Sequence, residues 1–576
     1  MLRLGLLSAR CSRAFSPSAA RNAAAVRRFS RRMERAVVRC VPCESKLTIS
    51  FTVNGSHRHM LRDQSEELGR VLARISSSAS KARGKGKKGR AGGGPGAAPD
   101  VVQPVVRLFL EGDPVSEDCV NCEAWQDGAV LQVGETRYQV ERNPPTFTTA
   151  ELPLSVLAGF PVCPKLEVEF GELKHCVFTW YKESPCGGGE DTWVEAGHEQ
   201  VFTPSNLDIG LRLKLKCVPG DGLRHGEAKE LVSSGTVEAG PGYCTFDNRH
   251  PYAIRPTDPD TIRVVSYNIL ADIYAQTEVS RTVLYPYCAP YALEFDYRQS
   301  LIKKELCGYN ADLVCLQEVD KGAFVDSLRP ALEAFGLDGV FRVKEKQHEG
   351  LATFYRRSKF RVIGQHDIML SEALTTDPVN RPLLDKLSTN PTLKERVLQL
   401  STTLQVTLLQ SISDTSKTVC VGNTHLYWHP KGGNVRLVQI ALALNHLKNI
   451  TEENPGTLVF CGDFNSTPSS GLFQLLSQGS VPESHGDWAS NGPEELVQME
   501  LLNPFQLSSA CGEPAYTNYV GGFHGCLDYI FMEPQALQVE QVIPMPSHQE
   551  VTTYQALPSV SHPSDHIALV CDLRWK

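Results

Sequence analysis

The 576 residues are too many for one hydrophobic core, and 41% apolar and 21% charged residues are ordinary for a globular chain of two or three domains. No apolar run approaches the roughly 18 residues of a membrane-spanning helix, so membrane insertion is not expected. The 18 cysteines are scattered, several within apolar runs (Cys315, Cys420, Cys461), which argues against a secreted disulfide framework, and the formal net charge of −7 argues against nucleic-acid binding through diffuse positive charge.

The N-terminus stands apart. Residues 1–33 hold eight arginines, no lysine and no acid, among many Ala and Ser. This composition predicts a transit peptide over 1–35 that directs the chain to the mitochondrion, to the matrix. Initiation at Met33 would give a form without it. Loss of those eight charges takes the formal net charge from −7 to −15. Any nucleic-acid affinity must then come from a local groove and a metal.

A β-rich, sandwich-like domain is predicted over 36–245. Short β-branched and aromatic stretches occur at 47–53, 105–110, 129–140 (with a turn at Gly134-Glu135), 166–170, 177–181 and 211–218. Residues 77–100 interrupt it with Ser, Gly, Ala, Lys and Arg, a composition that cannot bury a core and predicts a disordered basic loop. Cys40/Cys43 and Cys119/Cys122 form two Cys-x-x-Cys pairs. No repeated spacing or His partner accompanies them, so they are not read as a zinc site.

From 261 to 576 short apolar strands alternate with helical segments, predicting an α/β catalytic domain. Asn434 is placed to cap a helix whose Leu437, Ile440, Ala441, Leu444 and Leu447 share a face. Polar residues recur at the strand ends. Asn268 follows Val264–Tyr267, Glu318 follows Leu313–Gln317, and Asn423 and His425 follow Val419–Val421. Asp463 and Asn465 follow Leu458–Cys461, while Asp528 and His566 each precede an apolar strand. If alternate strands run in opposite directions, all six sets meet at one rim.

These residue types define a chemistry. Oxygen donors without cysteine suit Mg²⁺, with Mn²⁺ possible, rather than zinc. Phosphodiester cleavage needs a positioned water, a base for its proton and positive charge for the pentacoordinate oxygens. Glu318 is the expected metal anchor, with Asp463, Asn465 and Asn268 as further ligands. Asp463 would also deprotonate the water, and Asn465 would fix the phosphate or a metal-bound water. His566, oriented and held cationic by Asp528, would stabilise the phosphorane, and His425 would donate to a non-bridging oxygen. Phe523, flanked by Gly521-Gly522 and Gly525, has little local packing to satisfy and reads as a stacking platform for a base. Asn423 and Asn518 are candidate polar groups for base selectivity.

The segments Ser266-Tyr267-Asn268-Ile269-Leu270, Leu316-Gln317-Glu318-Val319, Thr424-His425-Leu426, Gly462-Asp463-Phe464-Asn465, Leu527-Asp528-Tyr529-Ile530 and Ser564-Asp565-His566 resemble the endonuclease/exonuclease/phosphatase superfamily. Tyr427-Trp428-His429-Pro430 and Tyr516-Thr517-Asn518-Tyr519 look like its adenylate-directed branch, which contains nocturnin and the cytoplasmic deadenylases. The resemblance covers 261–576. It implies a four-layer α/β sandwich of two packed mixed sheets flanked by helices, and a Pro430 that lines an adenine pocket with Phe523. A transit-like N-terminus and a β-rich domain stand where the cytoplasmic relatives carry leucine-rich repeats. No such repeat occurs here. The resemblance implies 3′-to-5′ removal of adenylates from mitochondrial poly(A) tails and cleavage of 2′,5′-oligoadenylate to AMP and ATP. The competing expectations are an inactive RNA-binding scaffold, or a phosphatase or phosphodiesterase of the same fold acting on a non-RNA ester.

Overall fold

The computed structural model describes residues 33–85, 103–184, 192–344 and 347–576. Of the expected transit segment 1–35, residues 1–32 lie outside the described residues, and positions 34 and 35 already belong to the first strand, Glu34–Cys40. The chain divides into two compact units. One comprises Met1–Thr146, Val168–Cys176 and Pro219–Glu227; the other comprises Phe147–Glu167, Val177–Val218 and Ala228–Lys576.

The first unit is built on a seven-stranded sheet, in the order Ser56–Asp63, Lys46–Val53, Glu34–Cys40, Thr136–Arg142, Val130–Val133, Val106–Leu110, Asp113–Pro114. A helix, Leu68–Lys85, packs Leu68, Val71, Leu72 and Ile75 into the core beside Val38, Ile49, Leu131 and Val140. The sheet thus buries its apolar side under a helix. This corrects two expectations. The loop predicted at 77–100 is helical as far as Lys85, and residues 86–102 lie outside the described residues. The single domain predicted over 36–245 is divided, because 147–167, 177–218 and everything from 228 belong with the catalytic half.

In the second unit, a four-stranded antiparallel sheet runs in the order Trp193–Gly197, Val177–Glu183, Leu213–Val218, Lys229–Val232. The catalytic half is the four-layer α/β sandwich. Its first sheet has the order Leu337–Val343, Glu349–Arg356, Leu313–Asp320, Thr261–Asn268, Leu569–Trp575, Leu537–Val542. Its second runs Phe360–Gln365, Thr403–Ser411, Thr418–His425, Thr457–Asp463, Asp528–Met532, Ser508–Ser509. Val264, Cys315, Val421, Val459, Ile530 and Cys571 fill the space between the sheets. On the outer sides, Ile302 and Leu306 of the helix Phe295–Gly308 cover the first sheet, and the helix Gly433–Glu453 covers the second.

That last helix departs from its expected pattern. It is capped at Gly432 without a side-chain bond, and its residues 433–444 are all buried. Asn434 lies inside the first turn, donating to the Glu495 carbonyl, so it braces a neighbouring loop instead of capping. No described helix is long and apolar enough to cross a membrane.

Strand direction places the site. Thr261–Asn268 and Leu313–Asp320 run parallel, with Leu569–Trp575 antiparallel to them. Thr418–His425 and Thr457–Asp463 likewise run parallel, with Asp528–Met532 opposed. The C-terminal ends of four strands and the beginnings of two therefore share one rim.

Candidate active site

Asn268 is the joint between the two sheets at this rim. Its side-chain NH₂ donates to Glu318 Oε1 at 2.9 Å and to Asp463 Oδ2 at 3.0 Å. Its Oδ1 accepts the Leu270 N–H, which fixes the orientation of the amide. Asn268 thus presents donors to the carboxylates, whereas a metal ligand was expected at this position. Glu318 Oε2 accepts the Ala271 N–H at 3.0 Å.

The backbone is strained where these groups converge. Glu318 (φ 54°), Leu270 (φ 59°) and Asn465 (φ 49°) all occupy the left-handed region. The pairing of the Glu318 strand with Glu349–Arg356 slips between Leu316 and Val319, which turns the Glu318 side chain into the rim.

Across from Glu318, Asp463 is buried, and its Oδ1 accepts the Asn465 N–H at 2.9 Å. The Asn465 amide donates to the Leu426 carbonyl, which fixes the side chain. His425 Nε2 lies 3.6 Å and His566 Nε2 3.5 Å from Asp463 Oδ2. His566 Nδ1 lies 2.8 Å from Asp528 Oδ2, and the Asp528 N–H is received by Thr517 Oγ1. The expected residues Glu318, Asp463, Asn465, Asn268, His425, Asp528 and His566 therefore meet at one rim.

The electrostatics separate their roles. Burial pushes the Glu318 carboxyl up to about 7, aided by the neighbouring charges of Asp565 and Glu349. Asp463 is raised by burial and then by Asp528. Burial opposes a charge on His566, but Asp528 and Asp463 outweigh it and hold the imidazolium well above its usual range. His425 is pushed far down by burial and by the adjacent Lys344, so it is neutral. Ligand atoms of Asp463, Asp528 and His566 lie within 4.8 Å of one another. Within this trio His566 is hydrogen-bonded through Nδ1 to Asp528 and turns Nε2 toward Asp463 at 3.5 Å, an arrangement that pairs the ring with the two carboxylates. The oxygen donors of Glu318, Asp463 and Asn465, without sulfur, fit a hard divalent cation, which would offset the burial and the neighbouring acidic charges that raise Glu318.

Lys344 was not anticipated. It is buried, with Nζ 2.6 Å from Glu349 Oε1 and 3.3 Å from His425 Nδ1. Its bond makes Nδ1 the accepting nitrogen of the neutral His425 ring and leaves the proton on Nε2, which faces the site. An isolated lysine after a strand carries no sequence signal for this.

The predicted base-binding residues divide into two groups. Phe523 lies on a hairpin formed by Asn518–Val520 and Phe523–Gly525, and it is 46% exposed. A Cβ at Gly525 would stand 3.1 Å from its ring, so glycine lets the ring lie over the strand. Pro430 is exposed too, in the loop after His425, beside a Trp428 that is 68% exposed. Asn423 is a correction. It is fully buried between the sheets, donating to the Leu316 and Ala352 carbonyls and accepting from Gln317, so it belongs to a core polar network and not to a base pocket. Asn518 is also buried; it forms a backbone bridge with His566, and its amide lies 3.4 Å from Asp565 Oδ2.

The Endonuclease/Exonuclease/phosphatase family model matches residues 265–566, and the model for the 2′,5′-phosphodiesterase 12-like N-terminal domain matches 144–238. The chain is 60% identical over 579 residues to 2′,5′-phosphodiesterase 12 of Rattus norvegicus, covering 95% of each. It is 60% identical over 577 residues to 2′,5′-phosphodiesterase 12 of Homo sapiens, covering 94% of each. More distantly, it is 29% identical over 349 residues to the CCR4-Not complex 3′-5′-exoribonuclease subunit Ccr4 of Schizosaccharomyces pombe, covering 54% of this chain and 49% of that one.

Proposed function

This chain belongs to the Endonuclease/Exonuclease/phosphatase family, and from that membership we propose that it is a Mg²⁺-dependent 3′-to-5′ exoribonuclease and phosphodiesterase acting on adenylates. Its substrates in this reading are mitochondrial poly(A) tails and 2′,5′-oligoadenylate, which it cleaves to AMP and ATP. The observation that carries the reading is the convergence at one rim of the half-buried Glu318 and the buried Asp463, joined by Asn268, with a cationic His566 facing them.

Glu318, Asp463 and Asn465 would hold the cation. When bound, it supplies positive charge to the non-bridging oxygens of the phosphate. Asp463 orients the attacking water and takes its proton. The His566 imidazolium, kept charged by Asp528, faces the same point and stabilises the pentacoordinate phosphorus. His425 donates from Nε2 to a non-bridging oxygen, and Lys344 holds it in the tautomer that can do so. Phe523 stacks on a base, with Pro430 shaping the pocket.

Two further parts of the proposal rest on composition. Residues 1–35 carry the mitochondrial address, and the RNA is held by the groove rather than by net charge. A reporter fused to residues 1–40 should enter mitochondria, and a chain begun at Met33 should stay outside. The activity itself is tested by AMP release from a short oligoadenylate before and after chelation of divalent metal. Release that is insensitive to chelation removes the metal from the reaction.

A further inference from the structure

The main chain of His566 is held by side chains. Neighbouring peptide groups pair across to the Thr517–Tyr519 segment: the Ile567 N–H donates to the Thr517 carbonyl and the Tyr519 N–H to the Asp565 carbonyl. His566's own groups do not join this ladder. Its N–H donates to Ser564 Oγ at 3.1 Å, and that hydroxyl in turn donates to the Asn268 carbonyl. Its carbonyl lies 2.8 Å from His562 Nε2.

His562 is buried, and its hydrogen bonds settle its tautomer. A bare Nε2 at 2.8 Å from a carbonyl oxygen would set two acceptors against each other, so Nε2 carries the proton and donates. Nδ1 is then an acceptor, 3.0 Å from Thr245 Oγ1. Thr245 is buried as well; its hydroxyl lies 3.0 Å from the Ser561 carbonyl, which already receives the Thr245 N–H at 3.1 Å, and 3.0 Å from His562 Nδ1, the acceptor that has no other donor, so its one proton goes to Nδ1. Four residues later in the same segment, Arg249 donates to the Ala568 and Pro544 carbonyls, on the far side of His566. Thr245 and Arg249 both lie upstream of the residues that the family model matches.

We propose that His562 and Thr245 are positioning residues, which hold the His566 main chain so that its ring keeps Nδ1 on Asp528 and Nε2 toward Asp463. The segment ahead of the catalytic domain is in this way a working part of the active site. The proposal rests on the phosphodiesterase reading above, because it acts through His566.

The test uses the full chain. His562→Phe keeps the ring volume and removes the hydrogen bonds to the His566 carbonyl, to Thr245 and the longer contact with the Tyr267 hydroxyl, whereas the side-chain amide of His562→Gln can replace Nε2–H. Thr245→Val removes the hydroxyl with little change in volume. On oligoadenylate, His562→Phe should lower kcat about tenfold with KM unchanged, Thr245→Val should lower it less, and His562→Gln should recover most of the loss. The low-field proton resonance of the His566 Nδ1–H···Asp528 bond should shift in His562→Phe and return in His562→Gln. If His562→Phe does not fold, Thr245→Val carries the test through the same resonance and kcat. Wild-type kcat and an unmoved resonance in the folded variants would overturn the proposal. A wild-type chain that releases no AMP would count against the phosphodiesterase reading alone, and the resonance would still decide whether the brace exists.

Discussion

His566 Nδ1 stands 2.8 Å from Asp528 Oδ2, with both side chains buried and the other oxygen of Asp528, Oδ1, without a hydrogen-bond partner among the described residues. The bond sets the ring's rotation, so that Nε2 meets Asp463 at 3.5 Å. His566→Ala and Asp528→Asn should each slow the chemical step by orders of magnitude, and the double variant should be little worse than either. Single-turnover rates on oligoadenylate measure this. Strictly additive losses would mean that the two do not act as a pair.

Glu318→Ala should abolish turnover and leave the circular dichroism spectrum intact, because the side chain serves the site more than the core. Asp463→Asn should be nearly as damaging, since an amide cannot take a proton from water. Its Mg²⁺ affinity should fall less than that of Glu318→Ala, as followed by titration of the metal. Equal losses of affinity would show that Asp463 is chiefly a ligand.

Phe523 is exposed on a hairpin that leads into the Asp528 strand. Stacking on a base contributes about 1–3 kcal/mol, so Phe523→Ala should cut activity on oligoadenylate roughly tenfold to a hundredfold. Every base offers a π face, so activity on oligouridylate should fall alongside and much of the ratio should persist. A large drop in melting temperature with no kinetic signature would assign the ring to packing.

His562 gives a pH dependence of stability. Burial lowers it from 6.5 to about 4, with Arg249 and His566 adding to the effect and its bond to the His566 carbonyl opposing it. The unfolded chain therefore takes up the proton first. The stabilisation is complete above about pH 6.5 and fades as the pH falls through 4. Between pH 7.5 and pH 5 the wild type should lose about 2 kcal/mol more stability than His562→Gln, read from denaturant midpoints of the catalytic unit. Parallel pH profiles for the two chains would contradict the neutral, buried state of this histidine.

Much of the site was legible because apolar strands ending in Asn268, Glu318, His425 and Asp463 show both where a rim lies and what it offers. The residues that escaped notice act through tertiary contacts. Lys344 reaches His425 across 81 positions, and Thr245 reaches His562 across 317. Neither separation leaves a local pattern. Asn423 misled for the opposite reason: its place at a strand end was right, but alternation along the strand turns it between the sheets, where Gln317 meets it. In the N-terminal unit, Leu68, Val71, Leu72 and Ile75 do carry a helical spacing, obscured by the serine-rich turn that follows. The unit boundary was not legible, because it falls at the start of the strand Thr146–Glu151, with further short strands on both sides and no Gly-rich or charged linker to mark it.

In the proposed reaction the rim holds a divalent cation on Glu318 and uses it to cleave phosphodiester bonds between adenylates. The most direct measurement follows AMP release from oligoadenylate by metal-stripped wild type and by metal-stripped Glu318→Gln as Mg²⁺ is added back. Recovery should be saturable in the wild type and absent in Glu318→Gln at the same concentrations. Equal recovery in both, or full activity in the stripped wild type before any Mg²⁺ is added, would contradict the proposed reaction.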